Sequence, residues 1–308
     1  VNKRSLVVGG LRMNVVEAGT GPDVVLLHGF LNHSYSWRHQ VRDLAAAGYH
    51  VLAPDLRGYG ETGSPRDAGQ YSVLHLVGDV VGLLDAYRIE RATVVGHDWG
   101  SVLAWNTALM RPDRVRGVVG MSVPYVPRGD VSLLTTMRER FGDSFYMQYF
   151  QEPGPADREL ARDVPATFRG VLGSGSQPWD PVVPEGGGWL DRLPDKGIPD
   201  WLSPADLDTY VAAFERTGFT GALNWYRNME RNHELTAAWQ HAPIQAPALF
   251  IYGTRDAFSR YASALIDDLP SHVPDLRGVV RIDAGHWVQQ ERPDEVTAAL
   301  VDFLDRDR

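Results

Sequence analysis

The chain has 308 residues, 44% hydrophobic and 22% charged, the make-up of a well-buried globular protein with one large domain or one domain carrying an insertion. Its formal net charge of −9 argues against a nucleic-acid partner, because the phosphate backbone rewards basic surfaces. There is no cysteine, which excludes disulfides, thiol catalysis and cysteine-ligated metal, and fits a reducing, cytoplasmic setting.

The first segment, Val1 to Gly10, reads as a strand and a turn and lacks the basic region, long apolar core and cleavage site of a signal peptide. Ser5 to Ala18 predicts an antiparallel hairpin turned at Gly9-Gly10. Val24–His28, His50–Asp55, Thr93–His97 and Val115–Val123 are β-branched runs closed by Gly, Pro or Asp, the pattern of buried parallel strands. Helical patterns lie between them at Trp37–Ala47, Val73–Tyr87 and Ser101–Met110, the last stopped by Arg111-Pro112. The alternation predicts an α/β fold with a mostly parallel sheet flanked by helices. Every apolar run ends well short of the roughly 20 residues of a membrane span.

The alternation breaks after Val123-Pro124 and resumes at Ala248–Gly253 and Val279–Ala284, with a closing helix from Pro293 to Leu304. The stretch between carries helical patterns at Val131–Phe141, Pro204–Thr217 and Leu223–Asn232. These surround a Gly/Pro-rich section, Gly170 to Pro199, that is too long for an ordinary connector and points to a functional lid or a partly disordered loop. This organisation predicts a core domain of residues 1–125 and 246–308 with a helical cap, 126–245, inserted into it. No repeats are present.

Gly96-His97-Asp98-Trp99-Gly100 follows one strand and precedes a helix. It is the small-x-nucleophile-x-small pattern of a nucleophile elbow, with aspartate in the place of serine. The glycines admit a turn so tight that neighbouring side chains would collide, and the helix aims its first N–H groups at the nucleophile. The plainer alternative is an aspartate that only caps the helix. His97 fills the variable position of the elbow and reads as structural. Trp99 is expected to give a backbone N–H to an oxyanion hole and its ring to the pocket. His28-Gly29-Phe30 closes an earlier strand, where the second oxyanion N–H is expected from Phe30, again with its ring in the pocket.

Among ten histidines, His286 stands out, since Asp283-Ala284-Gly285-His286-Trp287 lies between the last strand and the last helix. Asp256, in Gly253-Thr254-Arg255-Asp256, lies just past the strand before it, at the carboxyl edge where ligands gather in open α/β sheets. The chain order nucleophile, acid, histidine suits this architecture. His33, His75, His233, His241 and His272 have no comparable setting and read as surface or packing residues.

A carboxylate is ionised at neutral pH, with a reference pKa of roughly 3.9. It can attack saturated carbon directly to form an alkyl ester, which water activated by His286 then hydrolyses while Asp256 steadies the imidazolium. The substrates of such chemistry are alkyl halides or epoxides. An opening epoxide yields an alkoxide that needs a proton, and tyrosine is a suitable donor. The inserted segment supplies Tyr146 and Tyr149 in Phe145-Tyr146-Met147-Gln148-Tyr149-Phe150, three apart on one face if helical, and Tyr226 in Leu223-Asn224-Trp225-Tyr226-Arg227-Asn228. Tyrosines in a helical segment also serve for packing, and spacing does not choose between Tyr146 and Tyr149.

With His28-Gly29-Phe30, Ser34-Tyr35-Ser36-Trp37-Arg38, Asp55-Leu56-Arg57-Gly58-Tyr59-Gly60, the aspartate elbow, both tyrosine segments and Gly285-His286-Trp287, the chain resembles the soluble epoxide hydrolases of the α/β-hydrolase fold over nearly its whole length. The resemblance implies Asp98 as nucleophile, His286 as base and Asp256 as its partner. It implies Tyr146 and Tyr226 as the groups that polarise and protonate the epoxide oxygen, Tyr149 as a packing neighbour, Trp225 in the pocket, and no cofactor or metal. Asp55 and Arg57 are expected to stabilise the loop beneath the site. Many members of that family follow Phe30 with proline where this chain has Leu31, which implies an altered loop shape. The partners implied are a small epoxide and water, with no nucleic acid or membrane, in a monomer or homodimer. Two alternatives stay open. A haloalkane dehalogenase could use the same Asp98, His286 and Asp256, with a halide donor from Trp179, Trp189, Trp201 or Trp225. A non-catalytic ligand-binding protein could be built on the same scaffold.

Overall fold

The computed structural model describes residues 1–175, 180–193 and 197–306. Its described strands are β1 (Asn2–Val8), β2 (Leu11–Ala18), β3 (Asp23–Leu27), β4 (His50–Pro54), β5 (Ala92–His97), β6 (Val115–Met121), β7 (Ala248–Gly253) and β8 (Leu276–Ile282). They form one sheet in the order β1-β2-β4-β3-β5-β6-β7-β8. The β1–β2 and β2–β4 pairs are antiparallel and all others parallel. The hairpin turns at Gly9 and Gly10, both at positive φ, as the sequence predicts. Every residue of β5 is buried, which explains its unbroken apolar run.

Helices α1 (Arg38–Ala46), α2 (Val73–Ala86) and α3 (Trp99–Met110) link the first parallel strands. Two apolar clusters line the two faces of the sheet. One joins Val24, Leu26, Trp37, Val95, Val119 and Ile251 to the closing helix through Leu300 and Phe303. The other runs from Val25, Leu27 and Val94 without a break into residues of the segment between β6 and β7, among them Phe150, Phe168, Tyr210 and Trp225.

That inserted segment contains α4 (Leu133–Phe141), α5 (Tyr146–Tyr149), α6 (Pro155–Ala161), α7 (Val164–Ser174), α8 (Pro204–Thr217), α9 (Thr220–Tyr226) and α10 (Met229–Leu235). The continuous pattern at Leu223–Asn232 is two helices, because Asn228 leaves the helical path and its amide donates to Ala68 O (2.6 Å) and Asn224 O (2.8 Å). Within the Gly/Pro-rich section, residues 176–179 and 194–196 lie outside the described residues, and the described parts are more ordered than their composition implies. Gly170 to Ser174 form the last turns of α7, and Val183, Trp189 and Leu193 are buried. Past β7 come α11 (Ala257–Tyr261), α12 (Ser263–Asp267) and α13 (Leu269–His272), and past β8 come α14 (Val288–Glu291) and α15 (Pro293–Asp305). Among the described residues no helix is long and apolar enough to cross a membrane.

Candidate active site

Four chain segments leave the carboxyl edge of the sheet side by side: Gly29-Phe30 after β3, Asp98 after β5, Asp256 after β7 and His286 after β8. Asp98 has φ 55° and ψ −120°, a conformation that costs a non-glycine residue about 1–3 kcal/mol and persists only when its surroundings enforce it. The enforcement is steric. A Cβ on Gly96 would lie 2.0 Å from Gly100 O, and one on Gly100 would lie 2.1 Å from Leu27 O, so strand and helix touch backbone to backbone. Asp98 caps α3 with its main-chain carbonyl, which accepts from Ser101 N (2.9 Å) and Val102 N (3.1 Å). Its carboxylate makes no capping bond, which sets aside the plain helix-cap reading.

The carboxylate is instead divided between two partners. Phe30 N–H donates to Oδ1 at 2.7 Å, and His286 Nε2 lies 3.5 Å from Oδ2. The other ring nitrogen, Nδ1, stands 3.2 Å from Asp256 Oδ2. Asp256 is buried, and its two oxygens have separate duties. Oδ1 accepts the N–H of Phe258 (2.9 Å) and caps α11, while Oδ2 faces His286 and accepts from Ser259 Oγ (3.1 Å). Asp256 therefore caps a helix and partners the histidine at once. Trp99 is the first residue of α3, where no carbonyl within the helix can accept its N–H.

Burial opposes charge on His286, but the carboxylates of Asp256 and Asp98 override it and push its pKa up to about 10. Burial likewise favours neutral Asp98, yet the hydrogen bond and charge of His286 outweigh it and the net direction is downward. The resting site thus holds an imidazolium between two carboxylates.

The His286 main chain is anchored as firmly as its ring. Its N–H donates to Gly175 O (2.8 Å), at the end of α7 in the inserted segment. Its carbonyl accepts from His97 Nε2 and Ser122 Oγ, both at 2.8 Å. Burial lowers the pKa of His97 to about 4, so its ring is neutral and carries its proton on Nε2. The sequence gives His97 a structural reading, and this contact supplies its content. Ser122, Gly175 and Ser259 were not singled out from sequence. Ser122 and Gly175 meet His286 at its backbone atoms, which no motif encodes, and the Ser259 contact with Asp256 depends on the turn into α11.

These groups open into a cavity of about 600 Å³ lined by Phe30, Asp98, Trp99, Tyr146, Trp189, Trp225, Tyr226, Asp256 and His286, with apolar side chains such as Val102, Leu103, Met137 and Leu265 beyond them. The Tyr226 ring packs edge-on against Phe30 and Trp99, each centroid 5.0 Å away, and its centroid is 6.4 Å from that of Tyr146. Tyr146 lies parallel to Trp189 at 6.0 Å. Burial raises the pKa of both tyrosines well above the usual value, and the negative charge of Asp98 adds to it. Tyr149, on the same single turn as Tyr146, does not line the cavity. Burial and a hydrogen bond to Glu159 raise its pKa instead.

Of the tryptophans weighed as halide donors, Trp225 lines the cavity but gives its indole N–H to Arg57 O at 3.0 Å. Trp201 lies away from the cavity, Trp189 lines it, and Trp179 lies outside the described residues. Below the site, Asp55 accepts from Ser34 N (3.0 Å), Glu61 N (2.9 Å) and Asn14 Nδ2 (2.9 Å), and Arg57 pairs with Asp79 at 2.8 and 2.6 Å. Both residues stabilise the loop between β4 and α2, as expected. Leu31 sits at φ 55°, a backbone angle closed to proline, so the loop does take a shape that a proline there would forbid.

A family model described as the alpha/beta hydrolase fold matches residues 22–185. The chain is 48% identical to Epoxide hydrolase A of Mycobacterium tuberculosis, over 98% of this chain and 97% of that one. It is 43% identical to Epoxide hydrolase 3 of Siraitia grosvenorii, over 96% of each. A crystal structure of Epoxide Hydrolase A from Mycobacterium thermoresistibile superposes with a TM-score of 0.94 at 47% identity, covering 99% of this chain and 98% of that one.

Proposed function

We propose, for a chain that belongs to the epoxide hydrolases of the α/β-hydrolase fold, that it converts epoxides to vicinal diols through a covalent ester on Asp98. The observation that carries the mechanism is the unbroken chain of contacts from Phe30 N–H through Asp98 and His286 to Asp256, opening into a cavity that Tyr146 and Tyr226 also line.

Oδ2 of Asp98 attacks an epoxide carbon, and the C–O bond of the ring breaks. Tyr146 and Tyr226 hold the departing oxygen, and one of them gives it a proton. Burial suits them to this, since it keeps them protonated until an alkoxide arrives. The His286 imidazolium returns a proton to the tyrosinate and becomes neutral. Oδ1, held by Phe30 N–H, is then the ester carbonyl. Neutral His286 takes a proton from water as its oxygen adds to the Asp98 carboxyl carbon. The resulting oxyanion is stabilised by Phe30 N–H and by Trp99 N–H at the start of α3. Collapse breaks the ester bond, and the remaining water proton goes to the leaving alkoxide. The diol departs and the site regains one carboxylate and one imidazolium.

In this reading residues 126–245 form a cap over a core of residues 1–125 and 246–308, and Phe30, Trp99 and Trp225 shape the substrate pocket. Its reactants are a small-molecule epoxide and water, and we place it in the cytoplasm as a monomer or homodimer. The dehalogenase reading is weaker, because the Trp225 N–H is already committed to Arg57.

The test pairs two measurements. Styrene oxide is expected to give diol while a bromoalkane releases no halide, and halide without diol reverses the ranking. A single turnover with enzyme in excess in ¹⁸O-water should give diol free of label, because its new oxygen comes from Asp98. Label in that first product rejects the ester route.

A further inference from the structure

His286 can act only where its main chain puts it, and a side chain outside the proposed reaction grips that main chain on both sides. Glu291 ends the short helix α14 and turns its carboxylate back over the preceding loop. Oε2 accepts the N–H of Gly285 at 2.7 Å, and Oε1 accepts the N–H of Trp287 at 3.1 Å. These are the two amides that flank His286. The Glu291 side chain is only 5% exposed, and Arg255 stands 3.9 Å from Oε2. Hydrogen bonds from amides to a buried carboxylate are roughly twice as strong as neutral ones. With His286 N–H on Gly175 and its carbonyl on His97 and Ser122, the amides of all three residues 285–287 have fixed partners. Glu291 alone holds two of them.

We propose that Glu291 is a positioning residue for His286, setting the imidazole at the height from which it reaches both Asp256 and a water beside the Asp98 carboxyl. This rests on the ester mechanism proposed above. The alternative is a glutamate that merely caps α14. The two differ in which step they touch. A cap supports the fold and both chemical steps alike. A clamp on the base matters mainly for ester hydrolysis, because Asp98 forms the bond to carbon and a tyrosine protonates the ring oxygen before His286 gives up its proton.

The experiment uses the full-length protein and styrene oxide. Tryptophan fluorescence follows alkylation and decay in stopped flow, helped by Trp99, Trp189 and Trp225 in the cavity wall. Rapid quench and mass spectrometry of the Asp98 peptide count the ester. Glu291→Gln keeps the volume but offers one acceptor where two are needed, and sets an NH2 group against an N–H. It is expected to slow ester hydrolysis about 10²-fold while alkylation stays within about threefold, so that ester accumulates. Glu291→Asp, with the charge kept but a shorter reach, is expected to split the two rates in the same direction. Equal loss in both steps, hydrolysis at the wild-type rate, or failure of both variants to fold makes Glu291 a structural residue and overturns the proposal. His286→Gln is the control: with no ester on Asp98 in that variant, the ester mechanism itself fails, whatever Glu291 does.

Discussion

Gly29→Ala tests the oxyanion side of the site with the least possible change, one methyl group. A Cβ on Gly29 would lie 2.4 Å from Asp98 Oδ1, 2.5 Å from Asp98 Cβ and 2.8 Å from His97 O. Ordinary carbon contacts begin near 3.5 Å, so the loop or the nucleophile must yield by about 1 Å. Neither can do so without harm. Asp98 is pinned by backbone contacts at Gly96 and Gly100, and Gly29 leads directly into the Phe30 N–H that reaches Oδ1 at 2.7 Å. A shift of that size breaks the bond, and one oxyanion donor is worth about 10²–10³ in kcat. Overpacking costs about 1–3 kcal/mol of stability. Steady-state kinetics on styrene oxide should therefore fall by about two to three orders of magnitude, with Tm lowered by a few degrees. Gly78→Ala in α2 is the control, since a Cβ there meets nothing within 4 Å, and it should leave kinetics unchanged. If Gly29→Ala keeps kcat/KM within about threefold of wild type, the Phe30 contact is not part of the catalytic geometry.

The double variant Tyr146→Phe/Tyr226→Phe removes only two hydroxyls and should cut epoxide opening by at least about 10²–10⁴ with an unchanged melting curve, and undiminished turnover would mean the acids lie elsewhere. Leu31→Pro asks for φ near −65° where the chain has 55°, so urea unfolding should register a loss of more than about 1 kcal/mol, and wild-type stability would refute the strain. His286 has a raised pKa, about 10 against 6.5 for a free imidazole, so its contribution to stability is complete below about pH 6.5 and is lost as pH rises through 10. The stability difference between wild type and His286→Gln should accordingly shrink over that interval in pH-dependent urea melts, and a constant difference would contradict the pairing with two carboxylates.

Most of the sheet was readable because buried parallel strands leave unbroken β-branched runs, and β7 begins and ends where Ala248–Gly253 predicts. The meeting of Asp98, Asp256 and His286 was readable for a related reason: each follows a strand, and strands bring residues distant in sequence to one edge. The tyrosines were not separable by the same logic. Tyr146 and Tyr149 share a single turn, and what distinguishes them is tertiary, a cavity on one side and Glu159 on the other. The break between α9 and α10 was hidden because Asn228 is held by Ala68, far away in sequence. Composition misled at Gly170–Ser174, where helical glycines lie in α7, Gly173 close to Gly197 O and Gly175 just beyond against the Trp287 ring. The grip on the His286 backbone was hidden for the same reason, since the main-chain atoms that Glu291, His97 and Ser122 hold leave no signature in the sequence around them.

The charges in the site also give the proposed cycle an order. In the resting state the Asp98 carboxylate acts on all its neighbours: it helps hold His286 protonated and helps keep Tyr146 and Tyr226 from ionising. Each of these effects suits ring opening, which needs proton donors above a carboxylate nucleophile. Alkylation turns that carboxylate into a neutral ester, and the same event removes one of the two negative charges that support the imidazolium. Burial, which opposes charge on His286 throughout, is then answered by Asp256 alone, so the pKa falls and the ring becomes a base at the step that needs one. The tyrosines lose the repulsion that kept their oxygens neutral, which eases the brief existence of a tyrosinate. A serine in the place of Asp98 would carry no charge before or after acylation and could produce neither change. In the proposed cycle the aspartate therefore selects saturated carbon as its target and also switches the histidine from acid to base when the covalent bond forms.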